Sequence, residues 1–377
     1  MKNKQHFGLA GRYISRGLHL AALGLLLLAG CSGGPRVKMA PGYEKTPTRA
    51  QAQSNLMGTP EATAIPPTPT PEPLALDDTP YSLPSQALSI SVPLGWKMSA
   101  EADDYVRFEA PDQSAWLEAA LESSGYQLEQ VEFENYMTAM MNALYDGADS
   151  YQLLDKQIAE GQAVYISSYQ KNGFTWFAQD VFVQRSEAIY AFSFQALSKV
   201  WDAYQPGFQT ITESLETRTG YVKEDMIYRF MRAYLAPNNQ FSLTVPMGWT
   251  FALGQEGPQG AILDTMVSPD GEAAVEVMVY DAAEELLNTD IGQISIPLMK
   301  AQDGEDMRIR ANDVLNDGRI RVDWQIDKES LYAFSFFWQD NTTVYIFTLK
   351  YTDEHSGTYE ETLRKVGDSF AFVVPKN

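Results

Sequence analysis

The sequence predicts an α+β protein of two tandem sandwich domains, each a mainly antiparallel sheet with flanking helices. Three observations predict it. The segment Ile90-Ser91-Val92-Pro93-Leu94-Gly95-Trp96 returns 153 residues later as Leu243-Thr244-Val245-Pro246-Met247-Gly248-Trp249. Further echoes follow both segments in the same order, which marks a duplication. Each copy also mixes period-two apolar runs, which suit strands, with apolar stripes at spacings of 4, 3 and 4, which suit a helix. The repeat is far longer than a solenoid unit, so these are two domains and not an array.

Residues 1–30 read as a lipoprotein signal peptide. Lys2, Lys4, Arg12 and Arg16 precede or flank an apolar run over 18–29, too short for a comfortable membrane span. The run ends Leu28-Ala29-Gly30-Cys31. This resembles the lipobox of bacterial lipoproteins. The resemblance implies cleavage before Cys31 and a diacylglycerol on its thiol, with palmitate-type chains holding the mature protein outside the cytoplasmic membrane. Two or three such chains suffice for stable anchoring. Which membrane carries them is left open by the motif. Cys31 is also the only cysteine, so the chain has no intramolecular disulfide and stability must come from core burial.

Residues 31–84 read as a Pro/Thr-rich tether. Its densest part is Ile65-Pro66-Pro67-Thr68-Pro69-Thr70-Pro71-Glu72-Pro73. Proline fixes φ and removes donors, so such a segment favours extended polyproline-type geometry. About 50 residues at about 3 Å each reach ~150 Å.

The first copy covers residues 85–217. After Pro93-Leu94-Gly95-Trp96, the turn Pro111-Asp112 leads to a strand with Leu117, Ala119 and Leu121 on one face and Glu118 on the other. A helix follows, carrying Phe133, Tyr136, Met137, Met140, Met141, Leu144 and Tyr145 on one side; this Met-rich stripe reads as core packing. Runs over 163–169 and 175–184 continue the sheet. Ile189-Tyr190-Ala191-Phe192-Ser193-Phe194 is apolar on both faces, as a central strand should be. Tyr204, Phe208, Ile211 and Leu215 stripe a closing helix.

Residues 218–239 read as a connecting helix and linker. Met226, Ile227, Phe230, Met231 and Tyr234 suggest one short amphipathic helix, ended by Ala236-Pro237-Asn238-Asn239. The second copy, residues 240–375, repeats the plan. Pro269-Asp270-Gly271 answers Pro111-Asp112, and Glu276 answers Glu118. Val344-Tyr345-Ile346-Phe347-Thr348-Leu349 answers the central strand. Tyr359, Leu363, Val366 and Phe370 answer the closing stripe. The helix with Leu287, Ile291, Ile294 and Leu298 is weaker, and Pro297 should kink or end it.

This order of elements resembles the PsbP-like fold, over residues 85–217 and 240–375. The resemblance implies an antiparallel sheet sandwiched by helices and a non-enzymatic accessory or adaptor role. In Pro-x-Gly-Trp the proline is expected to end strand pairing, the glycine to take a positive φ, and the tryptophan to cap the core.

Charge narrows function. Beyond residue 30 the chain carries 24 basic against 49 acidic side chains. Such a surface repels phosphate backbones, so no nucleic-acid partner is expected. No nucleophile elbow, His-Glu-x-x-His, P-loop or dinucleotide fingerprint occurs. Ser168-Tyr169-Gln170-Lys171 fits Ser-x-x-Lys but closes a strand where that chemistry needs a helix start. His355 reads as an exposed loop residue. Asp146-Gly147-Ala148-Asp149, Asp303-Gly304-Glu305-Asp306 and Asn316-Asp317-Gly318 read as solvated turns without calcium-loop spacing. Glu118 and Glu276 stand one per domain, too few for a carboxylate dyad.

The expected protein is therefore a lipid-anchored extracytoplasmic binding or scaffold lipoprotein, not an enzyme, that docks on a membrane or envelope protein complex. The other reading is a small-molecule or weak calcium-binding receptor with a groove between the copies. Cys31 is the one nominated site residue; no catalytic, metal-ligating or cofactor-binding residue and no cofactor is expected.

Overall fold

The computed structural model describes residues 72–218, 220 and 223–373. The lipobox with Cys31 and the chain up to residue 71 lie outside them. From Glu72 onward the described chain forms one compact unit, and two modules of one topology build it.

In the first module, β1 (Tyr81–Ser82), β2 (Leu88–Ile90) and β10 (Glu216–Thr217) make a small antiparallel sheet. The main sheet holds β3 (Lys97–Ala102), β4 (Tyr105–Glu109), β5 (Ala115–Ser123), β6 (Asp149–Ala159), β7 (Gln162–Lys171), β8 (Phe174–Arg185) and β9 (Ala188–Leu197). Its order is β3-β4-β5-β9-β8-β7-β6, antiparallel throughout. The helix α1 (Gln130–Leu144) carries the chain from β5, mid-sheet, to β6 at the far edge. Three hairpins then return it to β9. The hairpin of β7 and β8 turns on Asn172 and Gly173, both at positive φ (54° and 78°), as a two-residue primed turn requires. The helix α2 (Ser198–Glu213) closes the module.

Both helices form for legible reasons. A reciprocal capping box starts α1: the Glu132 carboxylate accepts the Glu129 N–H at 2.7 Å, and the Glu129 side chain accepts from the Glu132 backbone. The helix buries Phe133, Tyr136, Met137, Met140 and Met141 on one face of the sheet, against Trp116, Tyr165 and Phe182. On the opposite face α2 buries Val200, Trp201, Phe208 and Ile211 against Leu117, Phe192 and Phe194. The sheet is thus sandwiched, and β9 is buried from both sides, as its composition predicted.

The second module repeats this. A small sheet joins β11 (Met231–Leu235), β12 (Phe241–Pro246) and β20 (Ala371–Phe372). The main sheet holds β13 (Thr250–Glu256), β14 (Ile262–Val267), β15 (Ala273–Asp281), β16 (Arg308–Val314), β17 (Ile320–Ile326), β18 (Leu331–Asp340) and β19 (Thr343–Thr352). Its order is β13-β14-β15-β19-β18-β17-β16. The helices α3 (Asn288–Asp303) and α4 (Ser356–Asp368) take the places of α1 and α2. Among the described residues no helix is long and apolar enough to cross a membrane.

Several sequence expectations need correction. The folded chain begins before residue 85: Leu76 bridges to Pro93, and Tyr81 pairs with Ile90. The amphipathic connecting helix does not form. A short 3-10 turn at Glu224–Met226 leads instead to the strand β11, which pairs with β12. Its apolar residues serve separate cores, Met226 in the cluster under α2, Tyr228 at the seam of the modules and Tyr234 against Phe241 inside the second module; a single helix stripe could not reach them all. Ala236-Pro237-Asn238-Asn239 is accordingly a hairpin turn, with Asn238 and Asn239 at positive φ. The helix α3 continues through Pro297, because Leu298 and Met299 just beyond it are buried. Finally, Gly95 takes a positive φ of 77° but Gly248 does not. A Cβ on Gly248 would lie 2.2 Å from the Tyr136 ring, so that glycine is there for close approach of α1.

The two modules share a core. Tyr136 of α1 packs in one continuous cluster with Tyr228, Trp249 and Tyr359, all 1% exposed or less. Asn135 donates to the Pro269 carbonyl at 2.9 Å. Tyr126 donates to Asp270 at 2.8 Å, and Tyr359 donates to the other Asp270 oxygen at 2.7 Å. His355, expected on an exposed loop, caps α4 and stacks on Tyr126 with ring centroids 3.6 Å apart. The groove expected between the copies is therefore filled.

Candidate ligand cleft

The face of the first sheet covered by α1 carries two rows of side chains across adjacent strands. Strand register fixes the first as Arg107, Glu118, Ser193 and Asp180, on β4, β5, β9 and β8. Trp116 and Gln195 face each other in the next. The same rows in the second module read Thr265, Glu276, Thr348 and Ser335, then Ala274 and Lys350. Gln195 is therefore the counterpart of Lys350. Counted from the helix N-caps Glu129 and Leu287, Tyr145 is the counterpart of Asp303.

In the second module this region is closed. The Lys350 ammonium lies 2.8 Å from Glu276 and 2.5 Å from Asp303, and none of the three side chains is more than 4% exposed. Trp324 donates from its indole nitrogen to Ser335 at 2.9 Å, and Ser335 shares a 2.7 Å hydrogen bond with Thr348. An ammonium at a helix C-terminus also meets the free carbonyls there. Burial pushes the Asp303 carboxyl up, although Lys350 draws it down. The pair needs each other: a lone buried charge costs several kcal/mol.

In the first module the same region is open. A cavity of about 460 Å³ lies at the end of α1, walled by Trp116, Glu118, Tyr145, Tyr169, Lys171 and Gln195. That size falls in the range of small-ligand sites. Glu118 is held from the other neighbouring strand: Arg107 reaches it at 2.6 Å and Glu109 at 2.7 Å. Arg107 lies 4.7 Å above the Trp116 ring, Lys171 lies 5.3 Å from it, and Trp176 packs beside it at 4.4 Å. The Tyr169 hydroxyl donates to Gln195, whose amide donates to Ser193 at 2.9 Å.

Acid and hydroxyl have exchanged places between the modules. In the second, the helix supplies the acid (Asp303) and the strand the hydroxyl (Ser335). In the first, Tyr145 follows the helix and donates to Asp180 of the strand at 2.7 Å. Asp180 is 1% exposed, and its Oδ1 has no hydrogen-bond partner. Burial pushes its carboxyl up to about 6. Burial and the Asp180 charge hold the Tyr145 hydroxyl far above its ordinary value, so it remains a donor.

The sequence reading had several of these residues in hand without their setting. Glu118 and Glu276 are equivalent, as their echo predicted, and each is neutralised inside its own module. Asp146 and Asp149 of the acidic turn rim the cleft. Asp303, read as part of a solvated turn, is instead buried against Lys350. Lys171 lines the cleft, while Ser168, three residues away on β7, points to the opposite face, so the Ser-x-x-Lys match makes no catalytic pair. Among the described residues, no three His, Cys, Asp or Glu side chains gather to hold a metal. Arg107, Asp180, Gln195 and Lys350 went unnoticed. The central-strand echo, carried one residue further, would have set Gln195 against Lys350.

No protein-family model matches the sequence. No curated protein matches it either. Among solved structures, the chain is similar to the cyanobacterial PsbP protein CyanoP of Synechocystis sp. PCC 6803, with 12% identity over 38% of this chain and 92% of that one, at a TM-score of 0.31. LpqN of Mycobacterium tuberculosis, involved in cell envelope biogenesis, is 14% identical over 38% of this chain and 92% of that one, with a TM-score of 0.25. The immunity protein TplEi of Pseudomonas aeruginosa is 12% identical over 74% of this chain and 97% of that one, with a TM-score of 0.20. Likenesses this distant say nothing of activity.

Proposed function

We propose that the chain is a lipid-anchored binding lipoprotein of the bacterial envelope, tethered through Cys31, and that it docks a membrane or envelope partner at the cleft of its first module. One observation carries the reading: two copies of one module differ at one place, closed by its own lysine in the second and open in the first. A duplicated pair needs no such difference for stability alone. The lipobox supports the location, and the Pro/Thr-rich stretch supports a reach away from the membrane.

The test is photo-crosslinking in cells that make the full chain, with a crosslinking amino acid at Asn172, next to Lys171 on the cleft rim, or at Asp313 on the far edge of the second module. A reproducible adduct from position 172 only, together with fatty-acid labelling lost in Cys31→Ala, is the expected result. Equal adducts at both positions, or labelling that persists in Cys31→Ala, would overturn it.

The cleft volume also favours a second reading, a receptor for a free small molecule. Stabilisation of the purified lipoprotein by a metabolite panel, with no protein adduct at position 172, would select it.

A further inference from the structure

We infer that copies of this chain associate head to tail, with α3 of one copy docking on the turn over residues 93–96 and the start of α2 of the next. The contact repeats the one that joins the two modules within a chain, and it does not depend on the cleft.

Three observations converge. The first is a face that is covered in one module and bare in the other. At the seam, Met247 of the second module is half-buried, Gly248 is buried, and Trp249 and Tyr359 are 0% exposed. The same positions in the first module are Leu94, Gly95, Trp96 and Tyr204. There Leu94 is 61% exposed, Gly95 is exposed, and Trp96 and Tyr204 are half-buried with their rings 6.2 Å apart. Pro111 is exposed where Pro269 is buried. Grouped apolar side chains left in water in this way mark a contact site.

The second is that the chain carries the matching half. Within the chain, Asn135 donates to the Pro269 carbonyl, and Tyr136 lies where a Cβ on Gly248 would clash. Counted from the helix N-caps, Asn135 and Tyr136 correspond to Gln293 and Ile294 of α3. Between copies, Gln293 is again a side-chain amide and meets Pro111. Ile294 is again apolar and meets Gly95, another glycine. Gln293 is exposed and Ile294 half-buried, and a Cβ on Gly95 would find nothing within 4 Å. Both halves of the contact therefore face solvent in a single chain.

The third is a paired change of charge. Tyr126, which donates to Asp270 across the seam, stands three residues before the N-cap of α1; Glu284 stands three before that of α3. Between copies Glu284 approaches Asp112, the counterpart of Asp270, and two acids there would repel. The first module supplies the answer. Lys199, exposed, takes the place that Glu354 holds in the second. It stands near Asp112, whose carboxyl is held low by its hydrogen bond to Ser114 and further by the Lys199 charge. An acid gained on one half and a cation gained on the other make the two faces complementary. Because the two faces differ, the contact has no two-fold axis, and copies run on as a filament or close as a ring.

The experiment is photo-crosslinking in cells that make the full chain, with a crosslinking amino acid at position 94 and the joined peptides mapped by mass spectrometry. An adduct of twice the chain's mass is expected, joining position 94 to α3 or the loop before it, residues 282–303. Lys199→Glu should reduce this adduct at least fivefold, and Glu284→Lys likewise. The two together keep opposite charges facing and should restore it to within twofold of wild type. Both side chains are exposed, so the thermal midpoints of the purified lipoproteins should stay unchanged, which separates a lost contact from misfolding.

The absence of an adduct at twice the mass overturns the inference. So does a joint to any other segment or to a different protein, or a double variant no better than the single ones. None of these outcomes bears on the crosslink at position 172, so the cleft reading stands or falls separately.

Discussion

Tyr126 and Asp270 are 144 residues apart in the chain and 2.8 Å apart in space. Tyr359 reaches the same carboxylate, and the two tyrosine hydroxyls are themselves within 2.8 Å. This three-residue network ties the turn before β15 of the second module to the loop after β5 of the first. Asp270→Ala strips the acceptor from two buried hydroxyls. It should cost about 3 kcal/mol, at 1–3 kcal/mol for each stranded group. A single calorimetric transition should split into two, one for each module. An unsplit transition at the wild-type temperature would contradict the network's role.

Glu122 on β5 gives a pH dependence of defined sign. It is 2% exposed, one oxygen accepts the Phe230 N–H at 3.0 Å, and the other has no partner. Burial pushes its carboxyl up to about 8, from about 4.5 in an unfolded chain. The folded protein thus binds the proton more tightly, and the stability this contributes is complete below about pH 4.5 and lost as pH rises through about 8. Urea unfolding of Glu122→Gln should match wild type at pH 5 and exceed it increasingly toward pH 9. A difference that stays flat with pH would exclude this group as the cause.

The buried triad of the second module predicts an asymmetric mutational result. Lys350→Met leaves Glu276 and Asp303 buried without their cation, at a cost of about 3–5 kcal/mol. Adding Glu276→Gln and Asp303→Asn should recover most of the loss, because neutral amides can bond where the ions stood. Chemical denaturation of the single and triple variants decides it, and a triple variant no better than the single would refute the electrostatic account.

The two Pro-x-Gly-Trp turns should respond differently to the same change. Gly95→Ala meets open space and only the backbone cost of a positive φ, about 1 kcal/mol. Gly248→Ala pushes a methyl into the Tyr136 ring at 2.2 Å and should cost about 2–3 kcal/mol, with strain passed to α1. Thermal midpoints rank them, and a larger loss at Gly95 would reverse the assignment.

Much of the fold was legible because the duplication reads each element twice. The central strands, the Met-rich stripe of α1 and the closing helices were all predicted from spacing. The connecting segment was not, because Met226, Ile227, Phe230, Met231 and Tyr234 mimic a helical stripe, while Met226 packs in one core and Tyr234 in another. Strand β11 is fixed by pairing with β12, a tertiary choice that no local pattern records. The cleft was legible only in part for a related reason. Glu118 and Glu276 align in sequence, but the acids beside them do not, since one module draws its acid from a strand and the other from a helix end. Strand register sets Asp180 in the place of Ser335, and the count from the helix N-caps sets Tyr145 in the place of Asp303.

One rod touches both the cleft and the seam. Tyr145, just past the C-terminal end of α1, walls the cleft, and Tyr136, nine residues earlier, is wedged against Gly248 of the second module. That is about 14 Å of helix at 1.5 Å per residue. A body so stiff does not shift at one end alone. The helix that sets one wall of the cleft is thus itself held in position by the second module, through Tyr136 against Gly248.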